Sequence, residues 1–209
     1  SLATAIALTG GYLLLSDDLP KLPAERVEIA RALFPVIDRR PEVLDWLDAE
    51  TPARLRLDLE GPAGRWSLAA LFNWTDQPAQ VVLNPADFGR AEGETLYRSF
   101  WDGQTGLVSA QKPLTLTLPA HGVFLAALRA FNPAVPQVAG SGLHVSQGQE
   151  ITAVEFTRET IEISLSLPRR AAGDLCLSLP RPPLEACLDG VSVPWRALGG
   201  SLYAFPLAF

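Results

Sequence analysis

"RWSLAALFNW", Arg65–Trp74, decides the fold. Trp66, Leu68, Ala70, Phe72 and Trp74 recur at every second position, so a strand places all five side chains on one face. The same period runs through the neighbouring segments. "ARLRLDLEG" aligns Leu55, Leu57 and Leu59, and "PLTLTLP" aligns Leu114, Leu116 and Leu118. The turn-forming stretches "TDQP" (75–78) and "AHG" (120–122) are followed by the apolar returns "AQVVLNP" and "VFLAALRAF". "LYRSFWDG" adds a short strand ending at Asp102-Gly103. Repeated short strands of this kind, each with one wet face, predict an antiparallel β-sandwich over residues 45–131.

Composition agrees with a mainly β chain. There are 18 Pro and 16 Gly among 209 residues, and 48% of residues are hydrophobic, enough for a sizeable core. The formal charge of −6, with its Lys and Arg scattered, gives no basic surface for a nucleic acid. No apolar run approaches the roughly 20 residues of a membrane span. The opening "SLATAIALTGG" lacks the basic region of a secretory signal, and the chain has no Met, which predicts a fragment or a processed product. A cytoplasmic location is expected.

Residues 1–44 read differently. Residues 1–10 look like the last turns of a helix closed by Gly10 or Gly11. "YLLLS", Tyr12–Ser16, reads as a strand buried on both faces. "PAERVEIARALFP", Pro23–Pro35, reads as a helix, with Pro23 near its start and Glu25 in its first turn. A helix-strand-helix unit with a single strand lacks sheet partners. On the other side of the sandwich, "NPAVPQVAGSG" (132–142) reads as a linker. A second small β module is expected at 143–209, opening with a hairpin of "ITAVEFT" and "IEISLSLP" that puts Ile161, Ile163, Leu165 and Leu167 in phase. A final hairpin turning at Pro180–Pro183 would set Leu179 against Leu184 and Cys176 opposite Cys187. That register permits a disulfide in an oxidising compartment and a reduced pair in a reducing one.

Candidate chemistry is sparse. Asp17 and Asp18 follow the apolar run, but adjacent strand residues point to opposite sides. Paired carboxylates of a glycoside hydrolase must flank one bond, so catalysis is not expected of them. His121 sits in a turn, and His144 lies far in sequence from the two Cys, so no metal site is expected. No phosphate loop or other cofactor motif is present. Trp66 and Trp74 are expected in the core, which leaves Trp46 and Trp195 as the aromatic candidates for stacking on a sugar.

Four motifs in order resemble the C-terminal end of α-galactosidase-type glycoside hydrolases, the melibiase group. They are Leu13-Leu14-Leu15-Ser16-Asp17-Asp18-Leu19, Asn73-Trp74, Trp101-Asp102-Gly103, and Pro119-x-His121-Gly122. The resemblance covers residues 1–131. It implies that residues 1–44 are the last helix-strand-helix of a (β/α)₈ barrel, followed by an antiparallel β domain. It also implies a parent enzyme acting on terminal α-galactosides, or related α-glycosides, with retention, whose catalytic aspartates lie on barrel strands outside this sequence. No catalytic residue carries over, and Asp17 and Asp18 fall at the barrel rim. The expectation is therefore a non-catalytic piece that supports the barrel, with the carbohydrate as partner through that barrel. The alternatives are a stand-alone carbohydrate-binding module and an oligomerisation module forming a homo-oligomer.

Overall fold

A computed structural model describes residues 1–14, 18–48 and 50–209. Two short helices, α1 (Leu2–Leu8) and α2 (Ala24–Leu33), precede sixteen strands. The first eight are β1 (Glu42–Val43), β2 (Arg54–Gly61), β3 (Gly64–Phe72), β4 (Ala79–Leu83), β5 (Thr95–Ser99), β6 (Thr105–Val108), β7 (Leu114–Leu118) and β8 (Val123–Ala130). The others are β9 (Gln137–Ser141), β10 (Ile151–Phe156), β11 (Ile161–Leu165), β12 (Ala172–Ser178), β13 (Cys187–Leu188), β14 (Val191–Ser192), β15 (Arg196–Gly199) and β16 (Leu202–Ala208). The chain is mainly β and its strand pairs are antiparallel, as its period-two segments require.

Strands β1-β2-β3-β8-β5-β6 form one sheet, and β4-β7 form a second, two-stranded sheet facing it. Between them lie Ala69, Leu71, Leu83, Phe88, Tyr97, Leu118 and their neighbours. The opposite face of the large sheet is not wet. Leu55, Leu57, Leu59, Trp66, Leu68, Ala70 and Phe72 pack there on Ala7 and Leu8 of α1, Leu33 of α2, Ile37 and Val145. Burial on both sides explains why β3 and β8 carry apolar or small residues at nearly every position, where one wet face was expected of β3.

The chain changes sheets where hairpins were expected. Strands β2 and β3 do form a tight hairpin, closing with Gly61 opposite Gly64. Strand β4 pairs with β7, whereas β3 and β5 pair with β8, so the turns at 75–78 and 120–122 carry the chain from one sheet to the other. Period two fixes which face a residue occupies and is silent about which strand it pairs with.

Three other expectations are corrected. Tyr12–Leu14 form no strand, and Tyr12 is 95% exposed. A strand needs a hydrogen-bonding neighbour, and none pairs with this stretch. Leu15, Ser16 and Asp17 lie outside the described residues. The segment read as a linker contains β9, which joins the sheet β15-β16-β12-β9 and is buried from Val138 to Ser141. Its small residues, Ala139 and Gly140, permit close packing on the first sandwich.

The third correction concerns the cysteines. The β10–β11 hairpin forms with the expected phase, but the last one does not. Strand β12 pairs with β16 and β9, so Cys176 faces Ala204 and Gly140 instead of Cys187. Cys176 is buried and Cys187 exposed, and both thiols are free. The register of "DLCLSLPRPPLEACLD", although it matches residues on both faces, gives way to a longer seven-residue pairing with β16. A thiol reagent is accordingly expected to label one cysteine in the native protein and two after denaturation, without reductant. Two inaccessible thiols that appear only on reduction would restore the disulfide.

Candidate functional site

The family-like motifs prove to be joints of the fold. Asn73, buried, donates from Nδ2 to the carbonyls of Gln77 and Pro119, both at 2.8 Å, while its Oδ1 accepts from the Thr75 amide and hydroxyl at 3.1 and 2.8 Å. One side chain thus ties together both crossings between the sheets. His121 sits at φ 53° in the second crossing; its amide donates to Thr75 and its Nε2 lies 2.9 Å from Asp76. A Cβ on Gly122 would lie 2.8 Å from the Pro119 carbonyl oxygen, which accounts for the glycine. Trp101-Asp102-Gly103 is the β5–β6 turn: Asp102 accepts from the Gln104 amide at 3.1 Å and Gly103 takes φ 71°.

The sugar-binding candidates do not converge. Trp46 is 67% exposed, beside an exposed Leu47. Trp195 is half-buried, edge-on to Tyr203 at 5.6 Å in the core of the other module. Asp18 is exposed and pairs with Lys21 at 2.7 Å, and Asp17 lies outside the described residues. An open groove of about 300 Å³ passes Asp45, Arg54, Phe72 and Asp87. Its charges are already engaged: Asp45 accepts from the Ala53 and Arg54 amides, and Arg54 pairs with Asp87. Among the described residues no cluster of three His, Cys, Asp or Glu could hold a metal. No described helix is long and apolar enough to cross a membrane.

The densest polar constellation was not legible as a site. It is the segment 141–150, "SGLHVSQGQE", buried between the two β modules and α2. Glu150 is 2% exposed; it accepts from the Ser141 and Ser146 hydroxyls and from the Gly148 amide at 3.0 Å. Arg98, also buried, donates to the Ser141 carbonyl at 2.8 Å, to Gln147 Oε1 at 3.1 Å and to Cys176 Sγ at 3.3 Å. Arg129 lies 4.4 Å over the Trp66 ring and donates to the carbonyls of Ala63 and Gln147. Full burial lowers the Arg129 pKa to about 9, with Glu150 opposing the shift. Trp66 Nε1 donates to the Ser146 carbonyl at 2.8 Å. A Cβ at Gly142 or Gly148 would come within 3.0 Å of an arginine, so glycines line this seam.

The same segment closes α2. The last carbonyls of a helix have no partner within it. Here the Val145 amide donates to Ala32 at 2.9 Å, Arg169 Nε to Phe34 at 3.0 Å, and His144 Nε2 to Pro35 at 2.8 Å. His144 Nδ1 then faces the Ser146 hydroxyl at 2.7 Å and amide at 3.3 Å.

Comparison with solved structures places this architecture. Over 61% of this chain and 34% of theirs, α-galactosidase I of Mortierella vinacea superposes with a TM-score of 0.51 at 19% identity. The chain has the fold of part of an α-galactosidase-type protein. A candidate α-N-acetylgalactosaminidase of Bacillus halodurans matches at the same TM-score and 13% identity, over 63% of this chain and 30% of that one. At these identities the likeness is one of fold. The chain spans about a third of the length of either protein. No protein-family model and no curated protein sequence matches the chain.

Removing the Glu150 carboxylate leaves buried donors unmatched and takes a negative charge from beside Arg129 and Arg169. Glu150→Ala should cost about 3–5 kcal/mol in urea unfolding, and Glu150→Gln, which keeps one acceptor oxygen, less. A cost below about 1 kcal/mol for both would mean that this seam does not hold the modules together.

Proposed function

We propose that this chain is the non-catalytic C-terminal portion of an α-galactosidase-like retaining glycoside hydrolase, and that it supports the catalytic barrel. The observation that carries this is the large sheet with both faces buried, one of them under α1 and α2, in a fold shared with α-galactosidase I of Mortierella vinacea. Such a sheet is built to brace helices. The two carboxylates that line the open groove, Asp45 and Asp87, are held by the Ala53 and Arg54 amides and by the Arg54 side chain, which leaves neither poised for the acid and nucleophile roles that hydrolysis of a glycoside requires. The α-galactoside is then bound by the barrel. A homo-oligomer is the second reading, favoured by the exposed Trp46, Leu47 and Tyr12, which form apolar surface of the kind that partners cover.

The isolated chain should therefore leave an aryl α-galactoside at its uncatalysed rate. Titration with galactose should not shift its tryptophan emission. Turnover well above background would overturn the support role. A saturable emission shift, lost in Trp46→Ala or Trp195→Ala, would instead make it a carbohydrate-binding module.

A further inference from the structure

His144 is buried with both ring nitrogens engaged, at the one place where the second module grips the end of α2. Its Nε2 must carry a hydrogen to bond the Pro35 carbonyl, which accepts only. With that hydrogen in place, neutral imidazole leaves Nδ1 free to accept from the Ser146 hydroxyl at 2.7 Å and amide at 3.3 Å. A proton added at Nδ1 takes the acceptor from the Ser146 amide, turns Nδ1 into a donor toward a hydroxyl that already accepts from the Gln149 amide, and puts a charge in a buried site.

We propose that His144 is an acid-sensitive latch: neutral, it fastens the 141–150 segment to α2, and its protonation loosens both from the large sheet. The charged groups around it come from each element that meets it. Glu150 approaches from its own segment through Ser146, and favours the protonated ring. Arg169, bonded to the carbonyls of Phe34 and Leu143, opposes it. Glu28 and Arg31 of α2 pair with each other at 2.6 Å near Arg169, and Arg129 of β8 lies on the far side of Glu150. Burial is the largest influence and lowers the His144 pKa; Glu150 and the Pro35 carbonyl only partly offset it.

A histidine held below its unfolded pKa binds fewer protons folded than unfolded. The stability it confers is complete above about pH 6.5 and is lost as pH falls below that value. The effect is independent of the proposed function, since it concerns how the module grips the helix.

The test is NMR titration of the His144 imidazole in the full chain, with amide exchange at pH 7.5 and 5.5 corrected for the intrinsic pH dependence of exchange. His144 should titrate below the ordinary histidine value of about 6.5, and protection over 24–37 and 141–150 should be lost at pH 5.5. His144→Gln, whose amide can still donate to Pro35, should abolish that pH dependence. A His144 ring that titrates at or above about 6.5, or protection in these segments that is unchanged between the two pH values, would overturn the latch. Should the variant fail to fold, the titration of the unsubstituted chain decides alone.

Discussion

The structure depends on a helix end that is finished by residues more than a hundred positions away. The carbonyls of Ala32, Phe34 and Pro35, at and just beyond the end of α2, receive their hydrogen bonds from Val145, Arg169 and His144. Each such bond contributes about 0.5–1.5 kcal/mol. Arg169 also places a cation at the negative end of the helix dipole. With the helix held, Leu33 and Ile37 can cover the face of β2 and β3 that carries Trp66, Leu68 and Phe72. That face would otherwise be open to water. The second module, therefore, completes the first.

Two buried arginines give this junction its specificity. Arg98 and Arg129 project from neighbouring strands of the large sheet, and their partners are mainly backbone carbonyls of the segment that docks on them. A carbonyl can meet a guanidinium only if the backbone comes close, and Gly140, Gly142 and Gly148 allow that approach. Apolar packing of Leu96 and Phe131 on Ala139, Cys176 and Ala204 fills the rest of the seam. The apolar contacts provide attraction, and the arginines, which tolerate no misaligned partner, fix the register.

Much of the sandwich was legible in the sequence because alternation is a local signal. Leu55, Leu57 and Leu59, and Trp66 to Phe72, fell on the expected face. What alternation could not reveal was pairing. The assignment of β4 to β7, the passage of the chain between sheets at Asn73 and His121, and the union of β12 with β16 are all set by distant partners. The segment 132–142 misled because Pro, Gly and small residues mark both linkers and closely packed strands; the difference lies in Arg98, which sits against Gly140 and Gly142. Likewise "SGLHVSQGQE" has no chemical signature of its own. Its Glu, His and Ser acquire meaning only beside Arg98, Arg129 and the end of α2. Trp46 is exposed, whereas Trp195 was read as free because the sequence does not show that the Tyr203 ring lies against it.

The central claim is that helices and both β modules form one cooperative body joined through residues 141–150. Hydrogen exchange by mass spectrometry at increasing urea tests it most directly, by following α2, β3 and β12 in the full chain. A shared midpoint for all three segments is predicted. Separate midpoints, with β12 persisting after α2 and β3 have opened or the reverse, would show that the modules are independent and contradict the account.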